Sequence, residues 1–95
     1  MNNINKKKEI VKYSKLFSTE SFSPIRSGNI SIRCKLNNKE GFFISPSGKI
    51  NLELTIKDIV FVSLNGDIEK HKKPSSEWRF HLDLYNSTEC NAIVH

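Results

Sequence analysis

Cysteines, long apolar runs and internal repeats are scarce or absent in this 95-residue chain, and each scarcity removes a class of protein. Its two cysteines, Cys34 and Cys90, stand far apart and form no CxxC pair. Packed, reduced thiols are therefore expected rather than a disulfide framework. No apolar run approaches the ~18 residues of a membrane span, and the lysine-rich start lacks the apolar stretch of a signal peptide. Together these predict a cytoplasmic protein with no membrane partner. With no repeat, and no low-complexity segment beyond a leading Asn/Lys bias, the chain reads as one small domain or a piece of a larger one. At this size only about 60–65% of the unfolded surface is buried, so the core is modest.

Charge of one sign is also less abundant than the net +5 suggests. Lys6, Lys7, Lys8, Lys12 and Lys15 stand against Glu9 alone, and residues 16–95 are nearly balanced. A basic first helix could bind nucleic acid or an anionic surface, with salt-sensitive affinity as its mark. A solvated helix face accounts for the same composition, and no nucleic-acid partner is expected.

Along the chain, apolar spacing predicts a helix from Lys6 to about Ser18, with Ile10, Tyr13 and Phe17 on its core stripe and Val11 widening it. Ser18 to Ser27, with Pro24, reads as a loop. Ile30, Ile32, Cys34 and Leu36 alternate with Ser31, Arg33 and Lys35 as a strand of period two. A turn over Asn37–Gly41 returns the chain through Phe42–Ser45 as a hairpin partner, which Pro46-Ser47-Gly48 breaks. Thr55–Asp58 has the form of a capping-box turn. Ile59–Leu64, the most apolar run, is expected as a central strand, followed by a turn at Asn65-Gly66-Asp67 and a short return at Ile68. A charged loop then leads to a second helix starting at Ser75 or Ser76 and ending near Asn86-Ser87, with Trp78, Leu82 and Tyr85 on one face. Ala92–His95 reads as the start of a buried strand. Trp78 and Arg79 are expected to pack this helix on the sheet.

Three segments share a chemical character: Ser27-Gly28-Asn29, Ser45-Pro46-Ser47-Gly48 and Lys73-Pro74-Ser75-Ser76. Each places a glycine or proline beside hydroxyl or amide donors at the end of an element. Glycine lets backbone N–H groups approach an anion closely, and the side-chain donors complete its shell. One such segment is ordinary turn punctuation. Three, with the carboxylate of Glu77 beside the last, point to a phosphate pocket with an acid/base group next to it.

Gly28-Asn29-Ile30-Ser31-Ile32-Arg33, Ile44-Ser45-Pro46-Ser47-Gly48, Asp58-Ile59-Val60-Phe61-Val62, Lys73-Pro74-Ser75-Ser76-Glu77-Trp78-Arg79-Phe80-His81 and Asn91-Ala92-Ile93-Val94-His95 resemble, in order and spacing, the class II aldolase/adducin family. The Ser-Ser-Glu-Trp-Arg-Phe-His wording is most similar to its L-fuculose-phosphate aldolase branch. The ribulose-phosphate 4-epimerase branch usually carries an aspartate at the position of Glu77. The resemblance spans nearly all of the chain but about the first half of a usual member. It implies an α/β, three-layer domain with a mainly antiparallel central sheet, truncated, and residues 1–95 as the N-terminal part of that single domain.

The resemblance also implies roles. Asn29, Ser47, Gly48, Ser75 and Ser76 would hold the phosphate of a ketose phosphate or of dihydroxyacetone phosphate. Glu77 would be the general acid/base that interconverts bound ketone and enediolate, and His95 the first histidine of a His-x-His pair of zinc ligands. Arg26 stands where relatives often place a small hydroxyl residue, so no role passes to it. His81 reads as packing or as a supporting bond near Glu77. A complete member would be a homo-oligomer whose active site lies partly between subunits. One histidine cannot hold a catalytic zinc, so the expectation is an N-terminal fragment of a zinc-dependent sugar-phosphate aldolase, inactive alone. A 4-epimerase-like enzyme and an adducin-like scaffold are the alternatives, and an exposed apolar sheet edge and association are expected of a truncated sheet.

Overall fold

The computed structural model describes residues 1–20, 28–49 and 51–95. The loop reading of residues 21–27, Ser27 and Arg26 included, lies outside the described residues. Six principal elements follow in order: α1 (Asn3–Glu20), β1 (Ile30–Leu36), β2 (Lys39–Ile44), β3 (Val60–Ser63), α2 (Trp78–Ser87) and β4 (Ala92–Val94). Short 3-10 turns at Asn51–Glu53 and Ile56–Asp58 precede β3.

The strands form one antiparallel sheet in the order β3-β2-β1-β4. Pleating sends alternate side chains to opposite faces. One face carries Ile30, Cys34, Phe43 and Phe61 and packs against Ile10 of α1. The other carries Phe42, Ile44, Val60, Val62 and Ile93 and packs against Tyr85 of α2. The result is the expected α/β three-layer arrangement, with a sheet between two helices.

The hairpin turns tighter than expected. Asn37 and Asn38 both take positive φ, 50° and 66°. Two residues therefore make the whole turn, as asparagine's tolerance of the left-handed region permits. Gly41 is a strand residue rather than part of the turn. A Cβ there would lie 2.2 Å from the Val62 carbonyl oxygen and 2.8 Å from the Phe61 ring, so only glycine lets β3 approach.

The apolar run at 59–64 forms β3, which is an edge of the described sheet, not its centre. Its burial comes from both helical layers and from the chain that follows. Ile68 bridges back to Val62, Ser63 N–H donates to the Asp67 carbonyl at 2.9 Å, and the Glu69 carboxylate accepts the Phe61 N–H at 3.0 Å. Backbone groups that a free edge would present are thereby paired. At the opposite edge, Val94 of β4 is 61% exposed.

α1 begins earlier and ends later than expected, and it is rotated from the expected stripe. The Asn2 side chain accepts the Asn5 N–H at 2.7 Å, a cap that starts the helix at Asn3. The buried face is Ile10 and Ser14, whereas Tyr13 and Phe17 are 40% and 43% exposed. Lys6 and Lys7 turn toward the sheet: the Lys6 ammonium donates to the Arg33 carbonyl at 2.9 Å and Lys7 lies over the Phe43 ring. Long aliphatic stems let these lysines cover sheet surface while their charges find acceptors. The apolar stripe is thus displaced by one residue around the helix. Cys34 lies buried beneath this helix, and burial pushes its thiol up to about 12. Both cysteines are free, as expected.

The capping-box reading of Thr55–Asp58 holds: the Asp58 carboxylate accepts the Thr55 N–H at 2.8 Å and the Thr55 hydroxyl at 3.1 Å. The first of these bonds, helped by Lys49, holds Asp58 below the usual carboxylate range. Among the described residues no helix is long and apolar enough to cross a membrane.

The rotation of α1 makes a direct prediction. Ile10→Ala should lower unfolding free energy by about 2–5 kcal/mol, and Phe17→Ala by less than about 1 kcal/mol. Urea denaturation of the two variants would reveal a mistaken helix face if Phe17→Ala were the more damaging.

Candidate active site

Four segments converge at one end of the sheet: the entry to β1, the loop after β2, the loop before α2 and His95, the residue after β4. Their convergence is fixed by backbone hydrogen bonds. Asn29 and His95 exchange N–H···O bonds, both 2.9 Å, extending the β1–β4 pairing by one residue pair. Pro46 bridges Pro74, Ser75 N–H donates to the Ser45 carbonyl at 2.8 Å, and Ser47 N–H donates to the Lys73 carbonyl at 3.1 Å. The two proline-containing loops are therefore sewn together as a short extended pair.

This pairing explains why α2 starts at Trp78 and not at Ser75 or Ser76. The backbone of Ser75 is engaged with Ser45 and closes a turn in which Trp78 N–H donates to Ser75 O at 3.0 Å. Helical backbone begins only after Glu77, which occupies the cap position.

A cleft of about 180 Å³ opens where these segments meet. Asn29, Ser47, Gly48, Ser75, Ser76 and Glu77 all line it. Gly48 has φ 75°, the left-handed conformation that glycine adopts without cost. Ser75 Oγ accepts the Glu77 N–H at 3.3 Å, holding the carboxylate-bearing residue against the serine pair. No described residue accepts a hydrogen bond from the N–H groups of Gly48 or Ser76. Unpaired N–H donors beside serine hydroxyls are the kind of groups from which anion-binding surfaces are built.

Lys49 also lines the cleft, a residue not singled out from the sequence; its place after the Gly48 turn was the available signal. Its ammonium is held 3.1 Å from the Asp58 carboxylate, so its charge is shared away from the cleft. The Glu77 carboxylate contacts His95 Nδ1, and the His95 ring lies 4.9 Å from that of Phe80. Thus the cleft's carboxylate and the chain's last imidazole meet at its rim.

Behind the cleft runs a buried polar chain that sequence periodicity did not expose. His81, 0% exposed, is the centre of it. Nε2 lies 2.5 Å from Asn29 Oδ1, and Nδ1 lies 2.6 Å from Ser31 Oγ, which in turn lies 2.7 Å from the Tyr85 hydroxyl. Burial pushes the His81 imidazole down to about 4 and the Tyr85 phenol upward, so both are neutral near pH 7. Arg33, on the same face of β1, donates to the carbonyls of Tyr85, Thr88 and Cys90, where a cation complements the end of α2. Trp78 packs against the core as expected, but Arg79 is exposed and covers the Trp78 ring at 4.6 Å rather than the sheet.

A metal is implied by the resemblance, and the donors present do not make up a metal site. Among the described residues no group of three or more His, Cys, Asp or Glu side chains is placed to hold an ion. A protein-held zinc takes at least three such ligands; His95 and Glu77 are two.

The model of the family described as "Class II Aldolase and Adducin N-terminal domain" matches residues 8–95. The chain is similar to the L-fuculose phosphate aldolase of Haemophilus influenzae, 43% identical over 70 residues, which are 73% of this chain and 31% of that protein. It is similar to the 5-deoxy-D-ribulose 1-phosphate aldolase of Bacillus thuringiensis serovar kurstaki, 40% identical over 92 residues, 94% of this chain and 42% of that one. Among solved structures, an L-fuculose 1-phosphate aldolase superposes with a TM-score of 0.85 at 33% identity, covering 100% of this chain and 45% of its own. The chain spans less than half the length of these relatives.

The neutral state of His81 sets a pH dependence. The folded imidazole titrates near 4 and the unfolded one near 6.5, so between these values the unfolded state binds the proton. The contribution is fully present above pH 6.5 and is lost as pH falls toward 4. Urea midpoints of wild type should decline across this window more steeply than those of His81→Gln; parallel curves would contradict the assignment.

Proposed function

The chain belongs to the class II aldolase and adducin N-terminal domain family, and on that premise we propose that it is the N-terminal part of a sugar-phosphate aldolase, carrying the phosphate pocket and the acid/base carboxylate. The observation that carries this reading is the convergence of Asn29, Ser47, Gly48, Ser75, Ser76 and Glu77 on one cleft. The activity is reversible aldol cleavage of a phosphorylated ketose to dihydroxyacetone phosphate and an aldehyde. The aldolase names of the similar proteins favour it over epimerisation.

In this reading the hydroxyls of Ser47, Ser75 and Ser76, the N–H groups of Gly48 and Ser76 and the amide of Asn29 bind the phosphate. Hydrogen bonds to a charged acceptor are stronger than neutral ones and fix the ester in register. Glu77 then stands beside the bound ester and moves the proton at the carbon next to the ketone. A carboxylate held within reach of that carbon can take the proton and return it.

His95 would be this chain's contribution to a zinc site, which needs further donors to complete it. The ion would act as a Lewis acid toward the developing oxygen charge. The complete protein works as a homo-oligomer in the cytoplasm, and the 95-residue chain by itself does not cleave substrate.

Dihydroxyacetone phosphate, titrated into the chain and followed by heteronuclear NMR, should shift the Gly48 and Ser76 amides. Ser76→Ala should weaken binding by roughly tenfold, the value of about 1.5 kcal/mol for a bond to a charged group. Shifts confined to other surfaces would remove the phosphate assignment. A zinc titration by calorimetry should find no tight equivalent for the isolated chain; one tight equivalent per chain would refute the claim that its ligand set is incomplete.

A further inference from the structure

The side chain of Asn29 has two ends of opposite character, a carbonyl that would repel a phosphate and an amino group that would bind it. We propose that His81 is a positioning residue for the cleft: its imidazole takes the carbonyl end of the Asn29 amide and thereby turns the amino end to the bound anion. The inference rests on the reading of the cleft as a phosphate site.

The geometry defines a direction for every proton in the chain. Asn29 Oδ1, which can only accept, lies 2.5 Å from His81 Nε2, so Nε2 carries the hydrogen. In a neutral ring Nδ1 is then an acceptor, and Ser31 Oγ, 2.6 Å away, donates to it. Ser31 has one hydrogen, so the Tyr85 hydroxyl, 2.7 Å off, donates to Ser31. Burial keeps both Tyr85 and His81 in the neutral forms that this order requires.

The far end of the chain is the Asn29 amino group. No described residue accepts from it. It is also not among the fully buried polar atoms lacking a partner, although Asn29 is only 5% exposed. Its remaining exposure opens on the cleft that Asn29 lines. The main chain of Asn29 is pinned by His95 on both its N–H and its carbonyl, so only the amide rotation is left for His81 to set.

The reverse order is chemically coherent and makes the opposite surface. With the hydrogen on Nδ1, Nε2 would accept from the Asn29 amino group, and the carbonyl would face the cleft. The tautomer of His81 therefore decides whether the pocket attracts or repels phosphate at this position.

The test reads that tautomer directly, on the unmodified chain, by long-range proton–nitrogen correlation of the histidine ring. A hydrogen on Nε2 is expected; a hydrogen on Nδ1 overturns the proposal. Two variants then separate positioning from packing. The amide nitrogen of His81→Gln reaches the place of Nε2 and can still donate to Asn29, whereas the shorter amide of His81→Asn reaches only the place of Nδ1. With inorganic phosphate as the probe, His81→Asn should bind about tenfold more weakly and His81→Gln within about threefold of wild type, the scale of one hydrogen bond to an ion. Equal affinity in all three folded proteins overturns the proposal. Should the unmodified chain bind no phosphate, the cleft reading fails on its own. Exchange of the Asn29 side-chain amide still decides the positioning, faster in His81→Asn supporting it and unchanged refuting it.

Discussion

A neutral imidazole buried to zero exposure must have both ring nitrogens satisfied, and that requirement ties the layers of this domain together. His81 projects from the first turns of α2 to reach the start of β1, where Asn29 and Ser31 flank a single apolar residue. Two partners spaced by two residues on one strand point to the same face. The ring therefore registers the helix against the strand along its length, while Arg33, two residues further, fastens the end of the same helix. Sliding the helix by one residue would break every member of this set at once.

The same constraint gives β1 its unusual composition. Its α1-facing side is uniformly apolar and its α2-facing side is polar, yet Ser31 is as buried as Ile30. Alternation of this kind ordinarily marks a strand with one solvated face. Here the polar side lies under a helix and is used for hydrogen bonds. The next two strands across the sheet, β2 and then β3, carry apolar side chains on both faces and supply most of the core. Polar specificity is concentrated in β1, and hydrophobic stabilisation in β2 and β3.

The order of the elements, the hairpin, the break at Pro46 and the gathering of glycine, proline and hydroxyl residues at element ends could all be read from local pattern, because turn chemistry and strand alternation act over a few residues. The face of α1 could not. Tyr13 and Phe17 satisfy the apolar template as well as Ile10 does, and the choice is made by Lys6 and Lys7, whose stems and charges find partners only on a sheet formed later in the chain. The edge position of β3 was hidden for a related reason: a run of Ile59–Leu64 carries no information on which neighbours pair with it, and Glu69 and Asp67 disguise the edge by satisfying its backbone. His81 is legible as a supporting residue from its spacing to Glu77, but local pattern places Ser31 and Tyr85, which complete its hydrogen-bond chain, only on a strand face and a helix stripe.

On the proposed function, the charge arrangement of the cleft bears on how a base and an anion would share it. A phosphate beside an unpaired glutamate would meet repulsion, and a free lysine would offset it at the cost of holding the carboxylate in an ion pair. Neither occurs. Lys49 is drawn to Asp58 and Glu77 to His95, so on the proposed reading N–H and O–H dipoles would face the anion. Fixed dipoles stabilise an anion without adding a cation to compete for Glu77. Because the loops carrying the backbone donors are held by the Ser45–Ser75 and Ser47–Lys73 pairings, the proposed anion would need no reorganisation of them. The serine hydroxyls can rotate to suit an anion, whereas the amide of Asn29 presents either a donor or an acceptor, and it is the group to which the buried chain from Tyr85 through Ser31 and His81 leads.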